Sequence, residues 1–173
     1  MRKIILQLAI SLDGFIEGPN GEYDWCFTDQ DYGMTEFFQR VDTVFIGRKS
    51  YEMSLGLEGA DTSWMPKMKE YVFSNTLTSV KEGTVLVNGN IKEEIEKIKN
   101  EPGKDIWMFG GASLTTSLLN EGLIDEISMA VHPILLGKGK LLFNDVKGRI
   151  KLKLIGTQAY SSGLVSLTYK LDK

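Results

Sequence analysis

Short apolar runs punctuated by turn signals repeat along this chain, and the order in which extended and helical periods follow one another constrains the fold most. Runs rich in Val, Ile, Phe and Leu occur at Ile4 to Ile10, Thr43 to Ile46, Tyr71 to Ser74, Thr84 to Val87 and Ile106 to Phe109, then at Glu126 to Leu136, Lys151 to Ile155 and Leu164 to Leu171. They read as strands. The early runs are almost wholly apolar, as in strands covered on both faces, whereas Leu164 to Leu171 mixes polar and apolar residues like a half-exposed antiparallel strand. Between them lie helical periods. Ile91, Ile95 and Ile98 share one helix face, Asn90 is placed to cap that helix with Glu93 three residues on, Glu93 and Lys97 are spaced to pair, and Pro102-Gly103 ends it. Further helices are expected from about Ala112 to Asn120, ended by Gly122, and from about Tyr32 to Arg40 with Phe37 and Phe38 turned inward. Strand and helix alternate first and strands alone follow, which predicts a single α/β domain over residues 1–173. Its sheet should be mixed but mostly parallel, with antiparallel C-terminal strands.

Charge and residue usage then narrow the chemistry. The 173 residues carry 20 Lys and Arg against 23 Asp and Glu, a net charge of −3, so no strong positive field invites nucleic acid or an anionic membrane. The apolar stretch from Ile4 to Ile10 is interrupted by Gln7 and closed by Asp13, too short to span a bilayer and without the pattern of an export signal. One cysteine, Cys26, provides no intrachain disulfide and suits a reducing cytoplasm. One histidine, His132, leaves no histidine and cysteine set for a structural zinc, and restricts nucleophile–base pairs to its own surroundings. No metal is expected.

Three glycine turns follow strands directly: Gly47-Arg48-Lys49-Ser50, Asn88-Gly89, and Gly110-Gly111-Ala112-Ser113-Leu114 at the start of a helix. In an open α/β sheet, ligands gather beyond the C-terminal strand ends, where a glycine lets backbone N–H groups approach a phosphate. None of the three has the spacing of a Rossmann or P-loop fingerprint, and each by itself could simply be a tight turn.

As an ordered set, these segments resemble dihydrofolate-reductase-like proteins. The resemblance rests on Ser11-Leu-Asp-Gly-Phe-Ile16, Gly47-Arg-Lys-Ser-Tyr-Glu52, Val72-Phe-Ser-Asn-Thr-Leu77 and Phe109-Gly-Gly-Ala-Ser-Leu114. The segment His132-Pro-Ile-Leu-Leu-Gly-Lys-Gly-Lys140 narrows it, being similar to a stretch of the reductase domain of bacterial riboflavin biosynthesis. The resemblance implies a three-layer fold with helices on both faces of the sheet, and a stand-alone reductase using NADPH. The zinc deaminase usually fused to that domain needs a His and several Cys that this sequence does not have.

The same resemblance assigns site residues. Ala9 is similar to the position beside the nicotinamide carboxamide and Ile16 to the apolar contact with its ring. Gly47, Arg48, Lys49 and Ser50 would hold the pyrophosphate, and Ser74 and Asn75 would lie near the adenosine 2′-phosphate, where many relatives carry Arg in place of Asn75. Arg48 and Lys81 are candidates for the missing charge. Gly110 and Gly111 resemble a glycine pair joined by a cis peptide, with Ala112, Ser113 and Leu114 as the helix start under the phosphates. Asp31 aligns with the acid that dihydrofolate reductases place against the pterin, and it is equally placed to cap a helix. The position that grips the folate tail is Met68, flanked by Lys67 and Lys69, which argues against folate. Asp13-Gly14 reads as a turn closing the first strand. Trp25, Phe27, Tyr32, Phe37, Tyr51 and Trp64 could stack a flat substrate or simply pack in the core. His132 reads as a surface imidazole or an interface contact. The expectation is therefore a cytoplasmic, homodimeric reductase that moves a hydride from NADPH to a small substrate. That substrate is heteroaromatic (pterin- or pyrimidine-like) or carbonyl-bearing. The rival is a non-catalytic module of the same fold that binds a nucleotide or planar ligand.

Overall fold

The computed structural model describes residues 1–56 and 65–172; Trp64 lies outside the described residues. The strands are β1 (Ile4–Ser11), β2 (Phe15–Glu17), β3 (Val41–Gly47), β4 (Lys69–Phe73), β5 (Thr84–Val87), β6 (Asp105–Gly110), β7 (Glu126–His132), β8 (Lys140–Leu141), β9 (Leu152–Ala159) and β10 (Val165–Leu171). The helices are α1 (Met34–Arg40), α2 (Arg48–Leu55), α3 (Ile91–Asn100) and α4 (Ala112–Asn120). Eight strands form one sheet in the order β5-β4-β3-β6-β1-β7-β10-β9, and β2 pairs with β8 in a separate ribbon. Pairing is parallel from β5 through β7 and antiparallel where β10 meets β7 and β9.

Alternation along the central strands divides the core between the two faces. Ile4, Leu6, Phe45, Ile106 and Met108 point into a large cluster with Ile95 and Ile98 of α3 and Leu114, Leu118 and Leu119 of α4. Ile5, Val44 and Trp107 point the other way, against Phe37 of α1, with Phe38 packed partly buried beside them. Ile46 and Val72 continue that second face under Tyr51 of α2. The sheet is therefore covered on both sides, as the nearly unbroken apolar runs required. Strand β9 at the edge is mostly exposed, with Leu152, Leu154 and Ile155 open to solvent.

The helix over Ile91–Asn100 forms as its pattern predicts: Asn90 Oδ1 accepts from the Glu93 N–H at 3.4 Å, and Lys97 Nζ lies 3.1 Å from Glu93. Local geometry shifts three expected boundaries. Tyr32 and Gly33 both have positive φ, so α1 starts at Met34 rather than Tyr32. The run Glu126 to Leu136 ends as a strand at His132, because Pro133 has no N–H for the ladder and the chain turns with Ile134 N–H donating to His132 O. The ladder between β3 and β6 slips at Phe109, which pairs Ile46 with Gly110 and brings the glycine to the strand end. Helix α2 and the β2–β8 ribbon are too short or too polar to show as periodic patterns.

Candidate functional site

Adjacent strands β3 and β6 send the chain in opposite directions. From β3 it passes through α2 to β4 on one side, and from β6 it passes through α4 over β1 to β7 on the other. Such a switch point opens a crevice at the C-terminal strand ends because both crossovers lead away from it. A groove of about 350 Å³ lies there. Its walls are the turns after β3 and β6, the end of β4, the first turns of α2 and α4, and Lys140 of β8.

The glycine turns make close contact across the groove floor. A Cβ on Gly47 would stand 3.5 Å from Leu114 Cβ and 3.6 Å from Gly110 O, and one on Gly111 would stand 3.1 Å from Ser50 Oγ. The Gly110–Gly111 peptide is cis. Glycine at 111 thus lets the turn approach α2, which carries Ser50. The N-caps of α2 and α4 are Gly47 and Gly111, and neither helix has a side-chain cap hydrogen bond. The first turns of both helices line the groove, which puts the positive ends of both helix dipoles at it.

Arg48, Lys49 and Lys140 add positive charge to this lining. Arg48 is engaged in part by Glu52 one turn on, at 3.1 Å, and Lys140 by Glu17 at 3.2 Å. Both pairs are partly open to solvent, so an anion can compete for either cation. Among the described residues Lys49 has no ion pair. The donor set of backbone amides, hydroxyls and three cations fits the diphosphate of a dinucleotide, and the glycine floor leaves room for its approach.

Of the expected site residues, Gly47, Arg48, Lys49, Ser50, Ser74, Asn75, Gly111, Ala112, Ser113 and Leu114 line this groove, and Gly110, outside the lining, packs beside Gly47. Asn88 and Gly89 are outside the lining, and Gly89 N–H donates to Asn75 Oδ1 at 3.5 Å, so the Asn88-Gly89 turn supports the strand-end pair. Ser74 Oγ accepts from the N–H groups of Thr76 and Leu77 at 3.1 and 3.0 Å, which fixes the turn after β4. Ala9 lies on β1 opposite Ala130, and Ile16 on β2 packs against the main core; both lie outside the groove lining. Lys81 is also outside it, 3.3 Å from Glu70 and over the Tyr51 ring. Met68 packs against the second cluster, and Lys69 pairs with Glu101 at 3.2 Å.

Asp31 is exposed, and its carboxylate accepts from Thr35 N–H at 3.0 Å and Thr35 Oγ1 at 2.6 Å. Those bonds tie down the start of α1 and hold the carboxyl below its usual range, an environment suited to capping and poor for donating a proton. The aromatic residues separate. Phe37 and Tyr51 are core, while Trp25, Phe27 and Tyr32 cluster with His132 and Tyr160. His132 is a correction to the sequence expectation: it is 2% exposed rather than at the surface. Its Nδ1 lies 2.9 Å from Ala130 O and its Nε2 accepts from Phe27 N–H at 3.1 Å. Burial pushes its pKa down, so the imidazole is a neutral anchor for the long segment between β2 and α1. In that segment burial also pushes the Cys26 thiol up to about 11, leaving it protonated and unreactive near neutrality.

Sequence reasoning did not place Phe73, Thr76, Ile91, Ser117 or Lys140 in the groove. Ser117 was accessible, because it stacks one helical turn beyond Ser113 on α4. Lys140 was not, because its position depends on the β2–β8 pairing.

The family model for the RibD C-terminal domain matches residues 2–166. The uncharacterized protein YyaP of Bacillus subtilis (strain 168) is 48% identical over 177 aligned positions, covering 97% of this chain and 94% of YyaP. A Shewanella sp. PV-4 crystal structure, provisionally named for riboflavin biosynthesis, matches with a TM-score of 0.87 and 28% identity over 99% of both chains. Dihydrofolate reductase from Enterococcus faecalis, complexed with NADP(H), matches with a TM-score of 0.71 over 99% of this chain and 97% of its own, at 15% identity. The last likeness is one of fold, and the fold is dihydrofolate-reductase-like.

Proposed function

The chain belongs to the RibD C-terminal domain family, and from that premise we propose that it is an NADPH-dependent reductase acting on a small heteroaromatic or carbonyl-bearing substrate. The observation that carries this reading is the switch-point groove, where two uncapped helix starts, the Gly47 and Gly111 turns, and Arg48, Lys49 and Lys140 converge. When bound, the nicotinamide supplies the hydride. The amides at the starts of α2 and α4 would hold the diphosphate, Arg48 and Lys49 would neutralise it, and Ser74 and Asn75 would border the adenosine end. Ala9 and Ile16, on β1 and β2, would meet the nicotinamide end. Asp31 stays ionised on Thr35, so the accompanying proton comes from water.

The protein works as a homodimer in the cytoplasm on this reading. The exposed apolar residues Leu152, Leu154 and Ile155 on the edge strand β9 support self-association, and sedimentation would report it. Among the described residues no helix is long and apolar enough to cross a membrane.

Calorimetric or fluorescence titration with NADPH and NADH tests the cofactor. A preference for NADPH of about tenfold or more is expected, equivalent to about 1.4 kcal/mol. Absence of binding by either at millimolar concentration removes the reading. A screen of NADPH oxidation against pterins, flavin precursors, pyrimidines and quinones identifies the acceptor. The engagement of Asp31 by Thr35 favours one alternative, a non-catalytic binding module. NADPH binding without turnover on any acceptor selects it.

A further inference from the structure

Asp13 closes the turn after β1, and its carboxylate also reaches across to a segment more than a hundred residues away. Asp13 Oδ1 accepts from Leu136 N–H at 3.1 Å, and Oδ2 accepts from Gly137 N–H at 2.8 Å. Ser11 Oγ donates to Asp13 Oδ1 at 2.6 Å and itself accepts from Phe15 N–H at 2.9 Å, so the carboxylate is aimed by its own turn. Backbone bonds from Leu12 N–H to Ile134 O at 2.9 Å and from Leu142 N–H to Gly14 O at 3.0 Å flank this contact on both sides. Beyond Gly137 the chain enters β8, where Lys140 pairs with Glu17 in register and lines the groove.

We infer that Asp13 is a positioning residue that holds the segment 136–140 and thereby fixes Lys140 over the anionic part of the bound dinucleotide. The inference rests on the reductase reading and extends it. A turn that only ended β1 would need Ser11 and Gly14. The two bonds to Leu136 and Gly137 instead connect that turn to the segment carrying a groove cation. Lys140 has four rotatable bonds in its stem, and without a fixed backbone its ammonium would be spread over many positions. Two hydrogen bonds to one ionised carboxylate restrict that backbone more than neutral contacts would.

The test is a double-mutant cycle on NADPH affinity with Asp13→Asn and Lys140→Met. Asparagine has the size of the carboxylate and one acceptor oxygen, so Asp13→Asn loses one of the two amide bonds and keeps the turn. Asp13→Ala serves as the stronger variant, and thermal unfolding monitors the fold of each. Each single substitution should weaken NADPH by roughly five- to tenfold. The double variant should be no weaker than Lys140→Met alone, because both remove the same interaction. Paired with Arg48→Ala, Asp13→Asn should instead multiply, since Arg48 sits on a different element. Hydrogen exchange should accelerate at Gly137 in both Asp13 variants and at Leu136 in Asp13→Ala, while the β1 and β6 amides stay protected. Losses that multiply between Asp13 and Lys140, or wild-type affinity in Asp13→Asn despite fast exchange at Gly137, overturn the inference and leave the reductase reading intact. Failure of the wild-type protein to bind NADPH would remove both.

Discussion

The imidazole of His132 accepts a hydrogen bond from the backbone N–H of Phe27 at 3.1 Å, joining the end of β7 to the segment between β2 and α1. Protonation of Nε2 would replace that acceptor with a donor facing an N–H. Burial lowers the folded pKa from the ordinary value of 6.5, so the unfolded chain takes up the proton first. His132 therefore contributes stability above about pH 6.5, and this contribution is lost as pH falls from there through the lower folded value. Thermal unfolding between pH 7.5 and 5 should show this decline, and His132→Gln, which keeps an acceptor, should flatten it. An equal decline in both proteins would contradict the assignment.

Glu126 is 3% exposed at the opposite end of the sheet, and it holds Lys3 Nζ and Arg40 at 2.8 Å each. Burial alone would push its carboxyl up, but the bonds from Lys3 and Arg40 outweigh burial and hold it below the usual carboxylate range. Its contribution is present above the unfolded value of about 4.3 and is lost as pH falls through the folded one. Glu126→Gln should destabilise by about 2 kcal/mol at pH 7. This is less than for a fully buried pair, because the Lys3 and Arg40 side chains are 52% and 40% exposed. The difference from wild type should shrink below pH 4, as urea unfolding at both pH values would show.

Gly139 has φ +144°, and a Cβ there would lie 2.2 Å from Glu17 O, a backbone atom that cannot rotate away. Gly139→Ala should open the β2–β8 ribbon and displace Lys140. The expected result is NADPH binding weakened about tenfold, with faster exchange of the Phe15 to Glu17 amides and little change in the unfolding midpoint of the main sheet. Unchanged NADPH affinity would show that the ribbon does not contribute to the groove.

Arg48 is shared between the groove and Glu52. Arg48→Ala should weaken NADPH and NADH alike, by about tenfold, as a contact to the shared diphosphate requires; a greater loss for NADPH would place the guanidinium at the extra phosphate instead. Glu52→Gln removes the competing carboxylate, and an exposed pair of this kind is worth only a few tenths of a kcal/mol. NADPH binding should tighten by about twofold in that variant.

Much of the fold was legible because burial imposes periodicity. Strand β5 and helix α4 fall where their runs predicted, and the change from unbroken apolar runs to the mixed Leu164 to Leu171 segment marks the change from parallel to antiparallel pairing. The glycine turns could be read as a group because a residue without a Cβ lets a turn close on its neighbour, as Gly111 does on the Ser50 hydroxyl. The ends of elements were less legible, since Tyr32 with positive φ or a ladder that slips at Phe109 has no periodic signature.

The order of apolar and helical periods determined, by itself, that this chain makes a layered α/β sheet with turns at its strand ends, because local pattern fixes which face each residue buries. Only the tertiary structure decided that β3 and β6 are neighbours with opposite crossovers, that His132 is enclosed, and that the Asp13 carboxylate bonds the segment leading to Lys140 of the groove. Those relationships join residues far apart in the chain. They arise when loops close and buried polar groups find partners, conditions that no short window of sequence contains.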